Sequence, residues 1–238
     1  MALSEISKSF GAVTVADAVS FELPAGQALG IIGPNGAGKT SLFNLITGTL
    51  APDSGRVQFA GKDVTRMAAA MRCRLGIARS FQIPQPFTGM SVFENVLVGA
   101  RHGDGLSKPK ANIRSVEILE QTGLLEKAND VAGQLTLLER KRLELARALA
   151  AGPELLLLDE IAGGLTEHEC QSLIQTIEEI KSTGVTIVWI EHIVHALLAV
   201  VDRLIVIDFG RVVADGEPNI VMQSQVVQDV YIGLDANA

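Results

Sequence analysis

Eight consecutive residues near the N-terminus form a glycine-rich loop that ends in a lysine and a threonine. The segment reads Gly33-Pro34-Asn35-Gly36-Ala37-Gly38-Lys39-Thr40, and Ser41 follows it. Glycines allow backbone N–H groups to turn toward a phosphate, because no β-carbon obstructs the approach. Lys39 can reach the β- and γ-phosphates of a nucleotide, and the Thr40 hydroxyl can ligate Mg²⁺. The loop and Ser41 therefore predict a site for a nucleoside triphosphate and Mg²⁺.

The residues on both sides of this loop support the same interpretation. The apolar run 28–32 predicts a strand, and residues 41–47 predict a helix that ends at Gly48. A helix N-terminus directs free N–H groups and the positive end of its dipole at an anion. The alternative is a glycine-rich turn with a chance lysine, which the strand before it and the helix after it disfavour.

Two adjacent carboxylates follow a second aliphatic run. Leu155–Leu158 predicts a buried strand, and Asp159-Glu160 comes directly after it. Ligands of parallel α/β sheets bind at the carboxyl edge of the strands, so both acids are placed where a nucleotide would bind. We expect Asp159 to hold Mg²⁺ through water and Glu160 to act as general base toward an attacking water. The alternative, a pair of helix-capping acids, is weak because Thr166 and Glu169 already form a capping box.

Strand and helix patterns alternate along the chain, which predicts an α/β fold with a largely parallel sheet. A capping box at Ser91 and Glu94 predicts a helix through Ala100, and residues 101–110 are expected to form a loop. The other predicted strands are 19–23, 56–59, 185–190 and a hairpin of 203–208 with 211–215. The other predicted helices are 112–122 with apolar positions 113, 116 and 119, then 141–151, 167–183 and 192–201.

Charge and composition exclude several function classes. The 238 residues carry a net charge of −7, which argues against broad binding to nucleic acid. The densest basic cluster, Arg140, Lys141, Arg142 and Arg147, is interpreted as a solvated helix face. Apolar stretches are far shorter than the ~20 residues of a membrane-spanning helix. The two cysteines are far apart and the N-terminus does not resemble a signal peptide, so we expect a cytoplasmic protein.

With these motifs in this order, the sequence resembles the ATP-binding cassette family. Asp159 lies 120 positions after Lys39, which leaves room for the helical insertion of these cassettes. The resemblance implies a P-loop NTPase fold with a RecA-like parallel sheet core, an antiparallel β subdomain and an inserted α-helical subdomain. It implies one cassette over residues 1–238, with the core and β subdomain at 1–82 and 153–222. The helical subdomain is expected at 83–152 and a C-terminal helix and tail at 223–238.

The resemblance also implies roles for single residues. Phe10 matches the aromatic residue that stacks on adenine, and Gln82 matches the glutamine that touches Mg²⁺ and the attacking water. His192 matches the switch histidine that contacts the γ-phosphate. If each of these residues is considered without the others, the alternative interpretation is an ordinary structural side chain. The implied cofactors are ATP and Mg²⁺, and the implied activity is ATP hydrolysis.

Two segments depart from the family pattern. The signature, usually Leu-Ser-Gly-Gly-Gln at the head of a helix, is here Leu135-Thr136-Leu137-Leu138-Glu139. The family uses this segment across a dimer, on nucleotide held by the partner's loop, so bulk and negative charge there weaken the site that this chain completes. Thr166 replaces a common aspartate and retains a capping role.

Residues 75–84 and 86–100 are similar to the ATPases of branched-chain amino acid transporters within that family. In those ATPases the segment after Gln82 contacts membrane subunits, and its apolar residues here are Ile83, Pro84, Pro86, Phe87 and Met90. The resemblance implies permease subunits, a second cassette in a homo- or heterodimer, and indirectly an external substrate-binding protein. It places the chain at the inner face of the cell membrane.

Three functions remain open at this point. The first is an ATPase that powers import of branched-chain or related amino acids. The second is a nucleotide-binding cassette with weak hydrolysis, as the altered signature suggests. The third is a soluble cassette protein that acts on ribosomes or DNA; such proteins usually carry two cassettes or long coiled-coil insertions, and neither is present here.

Overall fold

A computed structural model of the chain describes residues 1–225 and 227–228. Within these residues the strands are β1 (Ala2–Phe10), β2 (Val13–Glu22), β3 (Ala28–Ile32), β4 (Ser54–Phe59), β5 (Lys62–Asp63), β6 (Ile77–Arg79), β7 (Leu155–Asp159), β8 (Thr186–Ile190), β9 (Arg203–Asp208) and β10 (Arg211–Gly216). The helices are α1 (Lys39–Thr47), α2 (Ala69–Arg74), α3 (Val92–His102), α4 (Lys108–Gln121), α5 (Leu137–Ala150), α6 (Glu167–Ser182), α7 (Val194–Val200) and α8 (Pro218–Met222). Most of the predicted C-terminal helix and tail at 223–238 lies outside the described residues.

The larger sheet has six strands in the order β10-β9-β3-β8-β7-β6. Its five strands from β9 to β6 are parallel, and β10 is the antiparallel edge of the predicted hairpin. Every residue of β3, β7 and β8 is buried, as expected for parallel strands that helices cover on both faces. The predicted α/β fold class with a parallel core is therefore confirmed.

A second, antiparallel sheet has the order β2-β1-β4-β5. Ile6 of β1 and Val19 of β2 share a hydrophobic cluster with Phe43 and Leu45 of α1 and with β3. Helix α1 therefore lies between the two sheets, and the glycine-rich loop that precedes it lies at their junction.

The buried Arg72 anchors the end of α1. Its guanidinium donates to the carbonyl oxygens of Leu45 and Ile46 at 2.7 and 2.8 Å, and to those of Met67 and Thr65 at 3.0 and 2.8 Å. The last carbonyls of a helix have no partner within the helix, so Arg72 supplies two of them with a charged donor. One side chain thus fixes α1 to the segment that follows the antiparallel sheet.

Helices α3, α4 and α5 lie between β6 and β7 in the chain and pack on one another through buried residues such as Val96, Leu119 and Leu143. Two predicted capping boxes are confirmed: the Ser91 hydroxyl accepts from Glu94 N–H at the start of α3, and the Thr166 hydroxyl accepts from Glu169 N–H at the start of α6. In the described part of the chain, no helix is long and apolar enough to span a membrane.

Several predicted boundaries were wrong. Helix α3 continues to His102 and α4 begins at Lys108, so the predicted loop 101–110 is short. Pro109 in the first turn of α4 favours this earlier start, because proline suits a helix N-terminus. The predicted apolar face was wrong at two of its three positions: Ile113 and Val116 are 62% and 43% exposed, whereas Leu119 is buried. The small residues Ala111 and Ser115 and the apolar Ile118 complete the buried face.

Two further helices differ at their start. Helix α5 begins at Leu137 rather than 141, because a capping box at Thr136 starts it earlier. Helix α7 covers only Val194–Val200, so His192 lies in the segment that joins β8 to α7. The shorter α7 leaves the His192 side chain at the carboxyl edge of the parallel sheet.

Candidate nucleotide-binding site

The glycine-rich loop connects β3 to α1 and is held closely on two sides. Gly38 has φ 102°, and a β-carbon on it would lie 2.1 Å from the carbonyl oxygen of Val15 in β2. A β-carbon on Gly33, which has φ 151°, would lie 2.0 Å from the carbonyl oxygen of Ile207 in β9. Only glycine fits these two positions, because any side chain would collide with backbone.

Lys39 begins α1 and folds back over the loop. Its Nζ donates to the carbonyl oxygens of Gly33 and Pro34, both at 2.8 Å. Burial lowers the pKa of Lys39, while the carboxylates of Glu160 and Asp159 oppose this shift. The lysine therefore lies between the loop and the acids.

The other loop residues leave the mouth of the site open. Asn35, Gly36 and Thr40 are exposed, whereas Pro34, Gly38 and Ser41 are half-buried and Ala37 is buried. The helix cap residue, Gly38, provides no side-chain cap, so the first N–H groups of α1 are available to an anion. This arrangement suits a phosphate group.

Asp159 ends β7 and is 2% exposed. Arg79 Nη2 donates to its Oδ2 at 2.5 Å, while its Oδ1 is buried and has no hydrogen-bond partner among the described residues. Burial raises the pKa of Asp159, and the hydrogen bond from Arg79 opposes that effect. A buried carboxylate oxygen without a donor fits a Mg²⁺ site, because Mg²⁺ prefers oxygen ligands and retains bound waters.

Glu160 is held by the two other residues predicted to act with it. Gln82 Nε2 donates to Glu160 Oε2, and His192 Nε2 lies 2.6 Å from Glu160 Oε1. The Glu160 N–H donates to Ile190 O at 2.8 Å, and φ is 47°, an unusual conformation for a residue other than glycine. Such strain is frequent at functional sites. The structure thus brings Gln82, Glu160 and His192 together at the sheet edge that carries Asp159.

Phe10 lies apart from the acids, at the end of β1. Its ring is exposed, and Lys8 Nζ lies 5.3 Å from the ring centroid. The hairpin of β1 and β2 also carries Val15, whose carbonyl packs on Gly38. The aromatic ring is therefore presented by the same hairpin that supports the phosphate loop.

The altered signature, residues 135–139, is not part of this cluster: in the described structure no hydrogen bond or ion pair joins it to the loop. Thr136 is the cap of α5, and Glu139 Oε2 accepts from its N–H at 2.8 Å and its hydroxyl at 2.9 Å. Leu137 is exposed, and a β-carbon on Gly164 would lie 3.3 Å from it. The unexpected glutamate at 139 thus completes a capping box.

The interpretation of the basic cluster as a solvated face was wrong. Lys141 is 4% exposed, and its Nζ donates to the carbonyl oxygen of Glu160 at 3.3 Å. Arg142 donates to Ser172 Oγ at 2.7 Å, and Arg147 pairs with Glu144 at 2.7 Å. These side chains fix α5 to its neighbours, because their long stems reach past the helix surface.

Sequence reasoning missed three charged residues near the site: Arg79, Lys141 and Glu191. Glu191 is buried, and its carboxylate accepts from the N–H groups of Ala162 and His192 at 3.0 and 2.9 Å. It therefore fixes the segment after β7 against the segment that carries the histidine. Glu191 directly follows the predicted buried strand 185–190, and a charge at that position was the available signal; no strand was predicted before Arg79.

A groove of about 450 Å³ lies beside the site, between α2 and β6 on one side and α3 and α5 on the other. Arg79 and Phe81 form part of it, and small residues line much of the rest, namely Ala69, Ala70, Gly99, Ala148 and Ala151. Of the predicted apolar contacts nearby, Ile83 and Phe87 are exposed and Met90 is half-buried. The Arg147 guanidinium lies 4.8 Å from the Phe87 ring centroid.

Comparisons with known proteins agree with this geometry. The family model described as ABC transporter matches residues 16–163. The chain is 34% identical to the high-affinity branched-chain amino acid transport ATP-binding protein LivG of Salmonella typhimurium, over 98% of this chain and 97% of that one. It is 30% identical to the lipopolysaccharide export system ATP-binding protein LptB of Escherichia coli, over 97% and 95%. A solved ADP conformation of MJ1267, an ATP-binding cassette of an ABC transporter, has a TM-score of 0.88 and 33% identity, with 98% of both chains covered.

Proposed function

Because the chain belongs to the ATP-binding cassette transporter family and is thus an ATPase, we propose that it powers import of branched-chain or related amino acids. The observation that carries the ATPase site is the convergence of Gln82 and His192 on Glu160, beside the buried Asp159. The similarity to LivG supports the amino-acid substrate. The similarity to LptB makes lipopolysaccharide export a second candidate, at a slightly lower identity.

Nucleotide binding in this proposal begins with the loop from Gly33 to Ser41. Its N–H groups and the N-terminus of α1 receive the phosphates, and Phe10 stacks on the adenine. Lys39 exchanges the carbonyl oxygens of Gly33 and Pro34 for phosphate oxygens, so its charge is already in place when the nucleotide arrives. The lysine needs only a change of hydrogen-bond partner.

The residues that would hold Mg²⁺ are Thr40, Gln82 and Asp159. When bound, Mg²⁺ neutralises charge on the phosphate oxygens. Arg79 keeps Oδ2 of Asp159 occupied, so Oδ1 remains for the ion's water shell. The donor set of one hydroxyl, one amide oxygen and one carboxylate matches the preference of Mg²⁺ for oxygen.

Glu160 acts as the general base in this proposal. It accepts the proton of the attacking water while Gln82 and His192 keep its two carboxylate oxygens in place. Before this step, a contact between His192 and the γ-phosphate would link the presence of that phosphate to the position of the base. Glu191 supports this role because it binds the His192 N–H.

The groove between α2, β6, α3 and α5 is the proposed contact with a permease. Its many alanine and glycine positions leave space for a short helix of the membrane subunit, and exposed Ile83 and Phe87 extend the apolar surface. We place the chain at the inner face of the cell membrane, in a dimer with a second cassette. An external binding protein would then select the substrate.

Weak hydrolysis remains the alternative form of this function. In a dimer, Leu137, Leu138 and Glu139 would face the partner's nucleotide, and a glutamate beside a triphosphate opposes binding there. The capping box of Thr136 and Glu139 keeps that charge at the start of α5. One composite site of a heterodimer would then be weaker than the other.

Uptake into vesicles tests the proposal. The chain is reconstituted with candidate permeases, a second cassette and a binding protein from the same organism, and radiolabelled leucine uptake and phosphate release are measured together. ATP-dependent uptake that Lys39→Ala abolishes supports the proposal. ATP hydrolysis without uptake, together with lipopolysaccharide extraction from the same vesicles, would favour export instead.

A further inference from the structure

Arg79, at the end of β6, connects the nucleotide site to the groove. Its side chain is 8% exposed, and its two terminal nitrogens point to two different parts of the site. Nη2 donates to Asp159 Oδ2 at 2.5 Å, and Nη1 donates to Asn44 Oδ1 of α1 at 2.6 Å. One guanidinium therefore fixes both the carboxylate of β7 and the helix that follows the phosphate loop.

The same Arg79 side chain also lines the groove. Arg79 and Phe81 both line it, and Phe81 is 51% exposed there. The guanidinium carbon lies 5.2 Å from the Phe81 ring centroid and 5.4 Å from that of Phe43. Stacking between two rings and a forked pair of hydrogen bonds suits the planar guanidinium and not a lysine ammonium.

We propose that Arg79 is a positioning residue through which the contents of the groove set the orientation of Asp159. This inference rests on the proposed function, in which Asp159 serves Mg²⁺ and a permease helix occupies the groove. A group that enters the groove meets the exposed Phe81 ring first. Because that ring stacks on Arg79, its displacement moves the guanidinium, and the Asp159 carboxylate loses its fixed partner.

A purely structural role for Arg79 makes a different prediction. In that case Arg79 only stabilises the packing of β6 on α1, and changes in the groove leave the metal dependence of nucleotide binding unaltered. The two roles are separated by a reagent that enters the groove without touching the nucleotide site. Cys73 offers the attachment point, because it lines the groove and Cys170 is buried.

The first experiment measures binding of a fluorescent ATP analogue (trinitrophenyl-ATP) to the full chain during a Mg²⁺ titration. For Arg79→Gln we expect the Mg²⁺ concentration at half-saturation to rise at least about tenfold, the usual effect of losing a residue that orients a metal ligand. Binding in EDTA should change far less, because Arg79 hydrogen-bonds to Asn44 and Asp159 and not to the phosphate loop itself. Arg79→Lys should give a smaller rise, and Arg74→Gln, a groove residue without contact to Asp159, should give none.

The second experiment fills the groove. N-ethylmaleimide on Cys73 should raise the half-saturating Mg²⁺ concentration of the native chain and leave Arg79→Gln unaltered, since the link is already lost there. Cys73→Ser treated with the reagent is the control. Emission of the single, buried Trp189 checks that every variant is folded.

The outcomes separate a failure of the proposed function from a failure of the inference about Arg79. If the native chain does not bind the analogue, or Lys39→Ala binds it equally well, the proposed function fails. If the native chain binds it but folded Arg79→Gln and Arg79→Lys show the native Mg²⁺ dependence, the inference is overturned. An equal effect of the reagent on the native chain and Arg79→Gln overturns it as well.

Discussion

His192 Nε2 lies 2.6 Å from Glu160 Oε1, although 32 positions separate the two residues in the chain. Each follows a strand of the same parallel pair, β7 and β8, so the sheet brings them to one edge. This pair joins the proposed base to the residue proposed to contact the γ-phosphate.

Glu160→Gln should remove ATP hydrolysis and preserve ATP binding. Loss of a general base typically lowers the rate by about 10²- to 10⁴-fold, while the amide retains the size of the carboxylate. Phosphate release and nucleotide binding are measured on the same preparation. Glu167→Gln, on the exposed first turn of α6, is the matched control. Undiminished turnover in Glu160→Gln would assign the base elsewhere.

Lys39→Ala should abolish ATP binding. The change removes the only buried cation that bonds to the loop carbonyls within the described residues, and with it the charge that meets the β- and γ-phosphates. Isothermal titration with ATP measures the loss. Lys62→Ala, on the exposed strand β5, should bind ATP like the native chain. Native affinity in Lys39→Ala would contradict the phosphate-loop assignment.

Arg72→Met should destabilise the fold by about 3 kcal/mol, because four carbonyl oxygens lose their donor and a buried acceptor without a partner is costly. Urea unfolding followed by Trp189 emission gives the free energy of unfolding. Arg74→Met, an exposed neighbour on α2, should remain near the native value. Equal stability of the two variants would show that water satisfies these carbonyls.

Thr166→Ala should lower stability at every pH, because the helix cap is lost, and should lower it more near neutral pH than in acid. Hydrogen bonds from the Thr166 N–H and hydroxyl lower the pKa of Glu169. A lowered carboxyl pKa stabilises the fold above the usual glutamate range of about 4.3, and that contribution is lost as the pH falls through the lowered value. The difference between the urea midpoints of the two chains should therefore shrink from about pH 7 to about pH 3 without vanishing. If the difference between the two urea midpoints did not change with pH, the Glu169 carboxylate would be excluded as a contributor to the loss of stability.

Glu139→Gln should remove the negative charge of the altered signature and keep the cap of α5. Glutamine at this position also completes a capping box, so the urea midpoint should stay constant. Hydrolysis by the assembled dimer should rise several-fold, because a negative charge beside the partner's nucleotide is removed. Lower activity would instead show that the carboxylate takes part in the composite site.

Periodicity and local motifs were sufficient to predict most of the fold. The bounds of β3, the caps at Ser91 and Thr166 and the β9–β10 hairpin followed from short-range patterns. The buried face of helix α4 was misplaced, because it combines Ile118 and Leu119 with the small residues Ala111 and Ser115, which a hydrophobic pattern ignores. Packing between elements selects that face, and a single sequence does not encode it locally.

Some residues of the candidate site could likewise be predicted from the sequence, and others could not. The loop and the Asp159-Glu160 pair have a recognisable spacing, so residue types and order alone are enough to identify them. Arg79 and Lys141 act through contacts with residues distant in the chain, and their types alone resemble ordinary surface charges. The basic cluster was misinterpreted for that reason.

The close approach of Gly33 to Ile207 and the hydrogen bond from Gly210 N to Ala37 O have a consequence for synthesis of the chain. The phosphate loop is made early, but its supporting turn comes from the last strands. A nascent chain that has exposed only its first half outside the ribosome therefore has the support of Val15 but lacks the support of Ile207 and Gly210. ATP capture would begin once the β9–β10 turn has emerged, so nucleotide retention by stalled chains would report the moment at which this turn reaches the loop.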